Sequence, residues 1–247
     1  MKKEALPYTI LFQDDAMVAV NKTAGIAVLP GRGREECILG LLAADPALGG
    51  IKPRAVHRLD ADTSGVLIVA LTPEAQKALA EQFRKRTVVK EYEALVRGTP
   101  LHESGSVDLP IGLDPHNKRQ MAIRGMEPRK ARTKWVVEER FAGVTLLKVV
   151  PVTGRRHQIR VHLKAMGYPL AVDPLYGGTD LMLSEFKRKY KLGKFQEERP
   201  LMARLTLHAR RLTFVHPTSG AEMMLEAELP KDFRSTLEAL RKWAARG

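Results

Sequence analysis

The spacing of apolar positions divides the chain into short strands and a few helices. "YTILFQDDAMVAVNK" holds two β-rich runs, 8–12 and 17–21, around Asp14-Asp15, which predicts a hairpin. Residues 66–70 form an unbroken, largely β-branched run, which predicts a strand covered on both faces. In "LTPEAQKALAEQFRKR", Thr72 can cap a helix, Pro73 suits its first position and Glu74 suits its N-terminal dipole. Ala75, Leu79 and Phe83 would then share the buried face. "VVKEYEALVRG" alternates, so Tyr92, Ala94 and Val96 would share one face of a strand. "VTLLKVVPVTG" predicts another strand.

A short apolar helix is expected within "PGRGREECILGLLAADPALGG", after a glycine-rich loop. "RRHQIRVHLKAMG" predicts a helix with Gly167 at its C-terminal end, an apolar stripe of Ile159, Leu163 and Met166, and Arg156 and Arg160 projecting together beside it. The last amphipathic stretch carries Phe233, Leu237, Leu240 and Ala244 on one side, as a helix docked on the core would. Strands without strict β-α alternation point to an α+β, mixed-sheet fold. No repeat, low-complexity linker or clean boundary interrupts it, so residues 1–247 are expected to form one domain.

Composition narrows the function. With 247 residues, 44% hydrophobic and 28% charged, the chain can bury a real core. Its formal charge of +13 favours a polyanionic partner. The excess is concentrated. Residues 117–134 carry seven basic side chains and one acidic one; residues 155–164 add four basic side chains and two histidines; residues 186–194 add five basic side chains. Three runs of one sign suggest a track along phosphates, although the third also reads as a solvated face. The single cysteine, Cys37, cannot form an internal disulfide, and no cysteine cluster offers a zinc site. No signal peptide or membrane span is legible, so a cytoplasmic, non-membrane protein is expected.

Familiar catalytic signatures fail. "HRLDADTSG" lacks the other motifs of a kinase. "PGRGREE" lacks the ending of a phosphate-binding loop. His157 and His162 are five apart rather than four, and no nucleophile elbow is present. There remain a carboxylate, Asp60, arginines that could keep it ionised, and an aromatic ring, Tyr92, that could stack on a flipped base. By residue type alone, Asp60 with Arg58 or Arg160 reads first as a structural ion pair, and Tyr92 as core.

The combination resembles a known family. "HRLDADTSGVLIVA" is similar to the signature of the RluA-type pseudouridine synthases. "ILFQDDAMVAVNKTAGIAV", "KEYEALVRG", "VTGRRHQIRVHLKAMGYPLAVDPLYGG", "LHARRLTFVHPTSG" and "LPKDF" resemble its further segments, over about residues 10–235. Thr23 stands where the family usually has proline. The resemblance implies a mixed, largely antiparallel sheet with flanking helices around a central catalytic cleft. It also implies no N-terminal RNA-binding domain of the S4 type, since nine residues precede Ile10.

By the same resemblance, Asp60 would be the nucleophile, attacking ribose C1′ or uracil C6. Tyr92 would stack on the uracil, Arg160 would pair with Asp60, and Arg58 would support the flipped-out nucleotide. Lys118, Arg129, Lys130, Arg132, Arg155 and Arg156 would bind ribosomal or transfer RNA. No cofactor or metal is expected, and the protein is taken as a monomer. Thr63, Ser64 and Gly65 would build a turn, and His57 would help orient it. The rivals are a silent RNA-binding member and a DNA-acting or base-cleaving enzyme, which release of free uracil would reveal.

Overall fold

The computed structural model describes residues 6–31, 36–191 and 197–245. The chain runs β1 (Tyr8–Gln13), β2 (Met17–Lys22), α1 (Ile38–Ala44), β3 (Arg54–Ala55), β4 (Ser64–Ala70), α2 (Pro73–Lys85) and β5 (Val89–Arg97). Next come β6 (Ser104–Asp108), β7 (Ile111–Leu113), β8 (Met121–Ile123), β9 (Met126–Arg129), β10 (Arg132–Arg140) and β11 (Val144–Pro151). It ends with α3 (Gln158–Ala165), β12 (Leu207–Val215), β13 (Glu222–Glu226) and α4 (Lys231–Trp243). The fold is α+β, with a mixed, mostly antiparallel sheet.

Two compact units emerge. The first takes the described residues up to Glu91 and His208–Glu228; the second takes Tyr92–Leu207 and those from Leu229 onward. Two of the crossings fall inside strands, β5 and β12, which is why no linker is visible in the sequence.

In the first unit β1 and β2 form the expected hairpin, and the Asp14 carboxylate closes its turn by accepting from the Ala16 and Met17 amides. β2 and β3 pair antiparallel with β4, while β12 pairs with it in parallel through His208 and Ala209. All seven residues of β4 are buried, as its unbroken apolar run predicts. Thr72 caps α2 through its hydroxyl, 3.1 Å from the Ala75 amide. Ala75 and Leu79 pack with Val66, Ile68 and Ala70 of β4.

In the second unit the order is β5, β11, β10, β6, all antiparallel. Successive residues of β5 serve opposite faces. Ala94 and Val96, with Tyr92, pack toward Ile159 and Leu163 of α3. Leu95 packs toward Phe233, Leu237 and Leu240 of α4. A small separate sheet, β8-β7-β9, takes two of its strands, β8 and β9, from the first basic-rich stretch of the chain, where no strand was legible.

α3 starts later than the sequence pattern implied. His157 takes a left-handed conformation (φ 54°) and precedes the first helical residue, Gln158. Arg156 therefore lies outside the helix. It is exposed and its guanidinium donates to the Arg119 carbonyl (2.8 Å), whereas Arg160 is only 4% exposed. The two arginines do not project together.

Candidate active site and nucleic-acid interface

Asp60 occupies a short turn leading into β4. The Thr63 amide donates to the Asp60 carbonyl (3.1 Å), closing the turn. The next carbonyl, that of Ala61, accepts from the Gly25 amide (3.0 Å) and from the Lys22 ammonium (2.7 Å). Lys22 is completely buried, and its other donors meet the carbonyls of Thr23 and Ile26, each at 2.8 Å. Three carbonyl dipoles thus compensate a desolvated ammonium, which clamps the peptide after Asp60. Gly65 cannot be replaced cheaply: its φ is 117°, and a Cβ there would lie 2.1 Å from the Ala209 carbonyl oxygen. Asp60 itself is half-buried and Arg58 is exposed.

His57 secures the other side of this turn. Its Nε2 accepts from the Ile68 amide (3.0 Å), and its ring stacks on Phe83 at 4.5 Å between centroids. Burial, and secondarily the Lys90 ammonium, push its pKa down to about 3. His57 is therefore neutral at working pH and acts as an orienting acceptor. Burial, and then Arg86, also lower the Lys90 pKa to about 8. A depressed lysine favours the folded state only once it is neutral. Its contribution is present above the unfolded value near 10.5 and is lost as pH falls through about 8. Wild-type stability should gain from Lys90 between those limits, and Lys90→Met should flatten that limb in denaturant titrations at stepped pH.

The second unit holds Tyr92 and Arg160. Tyr92, half-buried, packs on the cluster that contains Ile159 and Leu163. The Arg160 guanidinium makes two parallel bonds to Asp173, Nε to Oδ2 and Nη2 to Oδ1, both 2.8 Å. Asp173 is fully buried. The Tyr176 ring lies under the guanidinium, 4.9 Å from its carbon to the ring centroid. The Tyr176 hydroxyl in turn meets His157 Nδ1 and accepts from the Met121 amide, both at 2.8 Å. Asp173 and Tyr176 belong to "DPLYGG"; their support of Arg160 was not foreseen from the residues. A fork-to-fork pair with an aromatic floor fixes an arginine in one orientation.

The expected basic residues of the second unit are drawn together from separate stretches. Gln158, buried, accepts from the Thr153 hydroxyl (2.6 Å) and the Arg155 amide (3.0 Å) and donates to the Arg132 carbonyl (3.0 Å). Arg155 donates to the Lys130 carbonyl (3.2 Å). The Arg156 contact with Arg119 brings the run containing Lys118 to the same neighbourhood. Lys118, Arg129, Lys130, Arg132 and Arg156 are exposed, and Arg155 is half-buried. Among the described residues no group of three or more His, Cys, Asp or Glu side chains is placed to hold a metal ion. No helix among them is long and apolar enough to cross a membrane.

The model of the RNA pseudouridylate synthase family matches residues 16–165, more than half the chain and the stretch from the opening hairpin through α3. The chain belongs to that family. This RNA pseudouridylate synthase is 43% identical to the ribosomal large subunit pseudouridine synthase D of Nitrosomonas europaea, over 96% of its length and 67% of that relative's. It is 38% identical to the ribosomal large subunit pseudouridine synthase C of Salmonella typhi, over 98% of its length and 73% of that relative's. The structure of human RNA pseudouridylate synthase domain containing 4 superposes with a TM-score of 0.70 at 28% identity, covering 94% of this chain and 92% of that one. The synthase is thus an RNA uridine isomerase of the RluA type.

Proposed function

We propose that the synthase converts specific uridines of ribosomal RNA to pseudouridine with Asp60 as its nucleophile. The observation that carries this reading is the rigid placement of the Asp60 turn, clamped by Lys22, His57 and Gly25 at the start of a fully buried strand. A nucleophile needs such a fixed element. The names of the relatives favour ribosomal over transfer RNA.

In the proposed reaction the target nucleotide leaves its helix, with Arg58 supporting the flipped-out conformation. The Asp60 carboxylate adds to ribose C1′ or to uracil C6. The bond from N1 to C1′ breaks, the uracil turns, and C5 bonds to C1′. The C5 proton leaves to solvent, N1 takes up a proton in its place, and the carboxylate is released unchanged. Tyr92 stacks on the uracil and assists that last proton transfer. Arg160, held in one orientation by the Asp173 carboxylate, is the cation proposed to act with Asp60 in the reaction. This chemistry uses no metal or cofactor, and we propose a cytoplasmic monomer of one catalytic domain.

RNA is held by Lys118, Arg129, Lys130, Arg132, Arg155 and Arg156. Each phosphate contact should contribute about 0.7–0.9 to the slope of log affinity against log salt. Neutralising Lys118, Arg129, Lys130 and Arg132 together should flatten that slope by roughly two to four units. A filter-binding series over salt checks this; an unchanged slope would make the run a solvated surface. The reaction itself is tested by mapping pseudouridine in transcribed ribosomal RNA after incubation with the enzyme. Release of free uracil would favour the base-cleaving alternative.

A further inference from the structure

The third basic run has no part in the site above, yet it is not a featureless solvated stretch. Lys187 and Tyr190 belong to it, and Trp243 ends α4. The Lys187 ammonium lies 4.5 Å from the Trp243 ring centroid and 5.9 Å from that of Tyr190. The Lys242 ammonium lies 5.1 Å from the same Trp243 ring. Arg188, Lys189 and Lys191 are exposed around them. Trp243 is itself 38% exposed, unlike Trp135, which is 6% exposed.

Two ammonium groups share one ring, each about 5 Å from its centroid and therefore no more than about 10 Å apart, and like charges so placed repel. The ring faces offset part of that cost. Some of the local acids are already engaged. Glu185 is bound to Arg97, and Glu198 accepts from the Ser184 amide. Glu238, four residues before Lys242 on α4, is the exposed carboxylate nearest in sequence to that ammonium. A patch of crowded cations around a half-open indole matches a polymer that carries phosphates and stackable bases.

We propose that Lys187, Arg188, Lys189, Lys191, Lys242 and Trp243 form a second RNA-binding surface, which grips single-stranded RNA flanking the modified site. This rests on the reading of the protein as an RNA-acting enzyme. It assigns a separate surface with its own contacts: phosphates on the lysines and arginine, and a base against the Trp243 indole. Stacking of that kind tolerates any base, so this surface adds affinity and not site choice.

Two measurements test it on the full chain. In the first, intrinsic fluorescence is followed while a single-stranded uridine oligomer is added. The wild type should be quenched, and Trp243→Phe should lose the quench while keeping its melting temperature. In the second, Lys187→Gln, Arg188→Gln, Lys189→Gln and Lys191→Gln are combined. On a long ribosomal RNA fragment, KM should rise about tenfold with kcat unchanged, because phosphate contacts are lost. On a short hairpin holding only the target loop, both constants should stay at wild-type values. Equal KM on the long RNA, or a quench that persists in Trp243→Phe, overturns the proposal. So does quenching by phosphatidylserine vesicles without quenching by RNA, which would mark a membrane surface. If no RNA is isomerised at all, the reading of the enzyme fails instead, and the fluorescence arm still decides this surface.

Discussion

Asp60→Asn should leave a folded protein that forms pseudouridine slower by roughly three orders of magnitude or more. The substitution keeps the size of the side chain and removes the charge on which attack depends. The turn should survive because its bonds at this point use backbone atoms. The Asp60 carbonyl takes the Thr63 amide, and the Ala61 carbonyl takes Gly25 and Lys22. Single-turnover assays on transcribed RNA, with circular dichroism on the same preparation, decide it. A folded variant within tenfold of wild type would remove Asp60 from the role of nucleophile.

Arg160→Met should damage stability and activity together. It leaves the fully buried Asp173 carboxylate without its cation. Breaking a buried pair in this way costs about 3–5 kcal/mol. For a chain of this size that lowers the melting temperature by on the order of 10 °C. Asp173→Asn added to Arg160→Met removes the stranded charge and keeps an oxygen that can accept from the Leu175 amide. Most of the lost stability should return in the double variant. Activity should not return, because the guanidinium proposed to act with Asp60 is still missing. Thermal melts and single-turnover rates on the three variants separate the two roles. A double variant that regains wild-type rate would reduce Arg160 to a structural residue. Arg156→Met, by contrast, removes an exposed side chain and should only weaken RNA binding.

Elements with strong local signals were legible in the sequence. β4 is a continuous β-branched run because it is buried on both faces, and α2 carries its own cap, proline and apolar stripe. The hairpin of β1 and β2 is marked by Asp14, which also closes its turn. Other features depend on contacts distant in the chain. β7, β8 and β9 have three or four residues each, too few to show a period, and charges dominate their stretch. The parallel pairing of β12 with β4 joins residues 144 apart.

The candidate site divides in the same way. The resemblance singled out Asp60, Tyr92 and Arg160, and the residue types alone left each with a structural alternative. Asp173 as the partner of Arg160 is set by tertiary burial thirteen residues downstream. Lys22 would pass for an ordinary surface lysine ending a strand; only the fold buries it against three carbonyls. Arg156 and Arg160 have helical spacing, and a single left-handed residue, His157, cancels it. Conversely, the bridge from Arg132 to Arg155 runs through Gln158, an uncharged residue that an inventory of charges passes over.

Release of tritium from the uracil C5 position decides whether this chain isomerises uridine in ribosomal RNA through Asp60. Large-subunit RNA transcribed with 5-tritiated uridine is incubated with wild type and with Asp60→Asn. Wild type should release one tritium for each pseudouridine mapped, with no free uracil, and Asp60→Asn should release almost none. Equal release by both proteins, or uracil set free in place of pseudouridine, would contradict this.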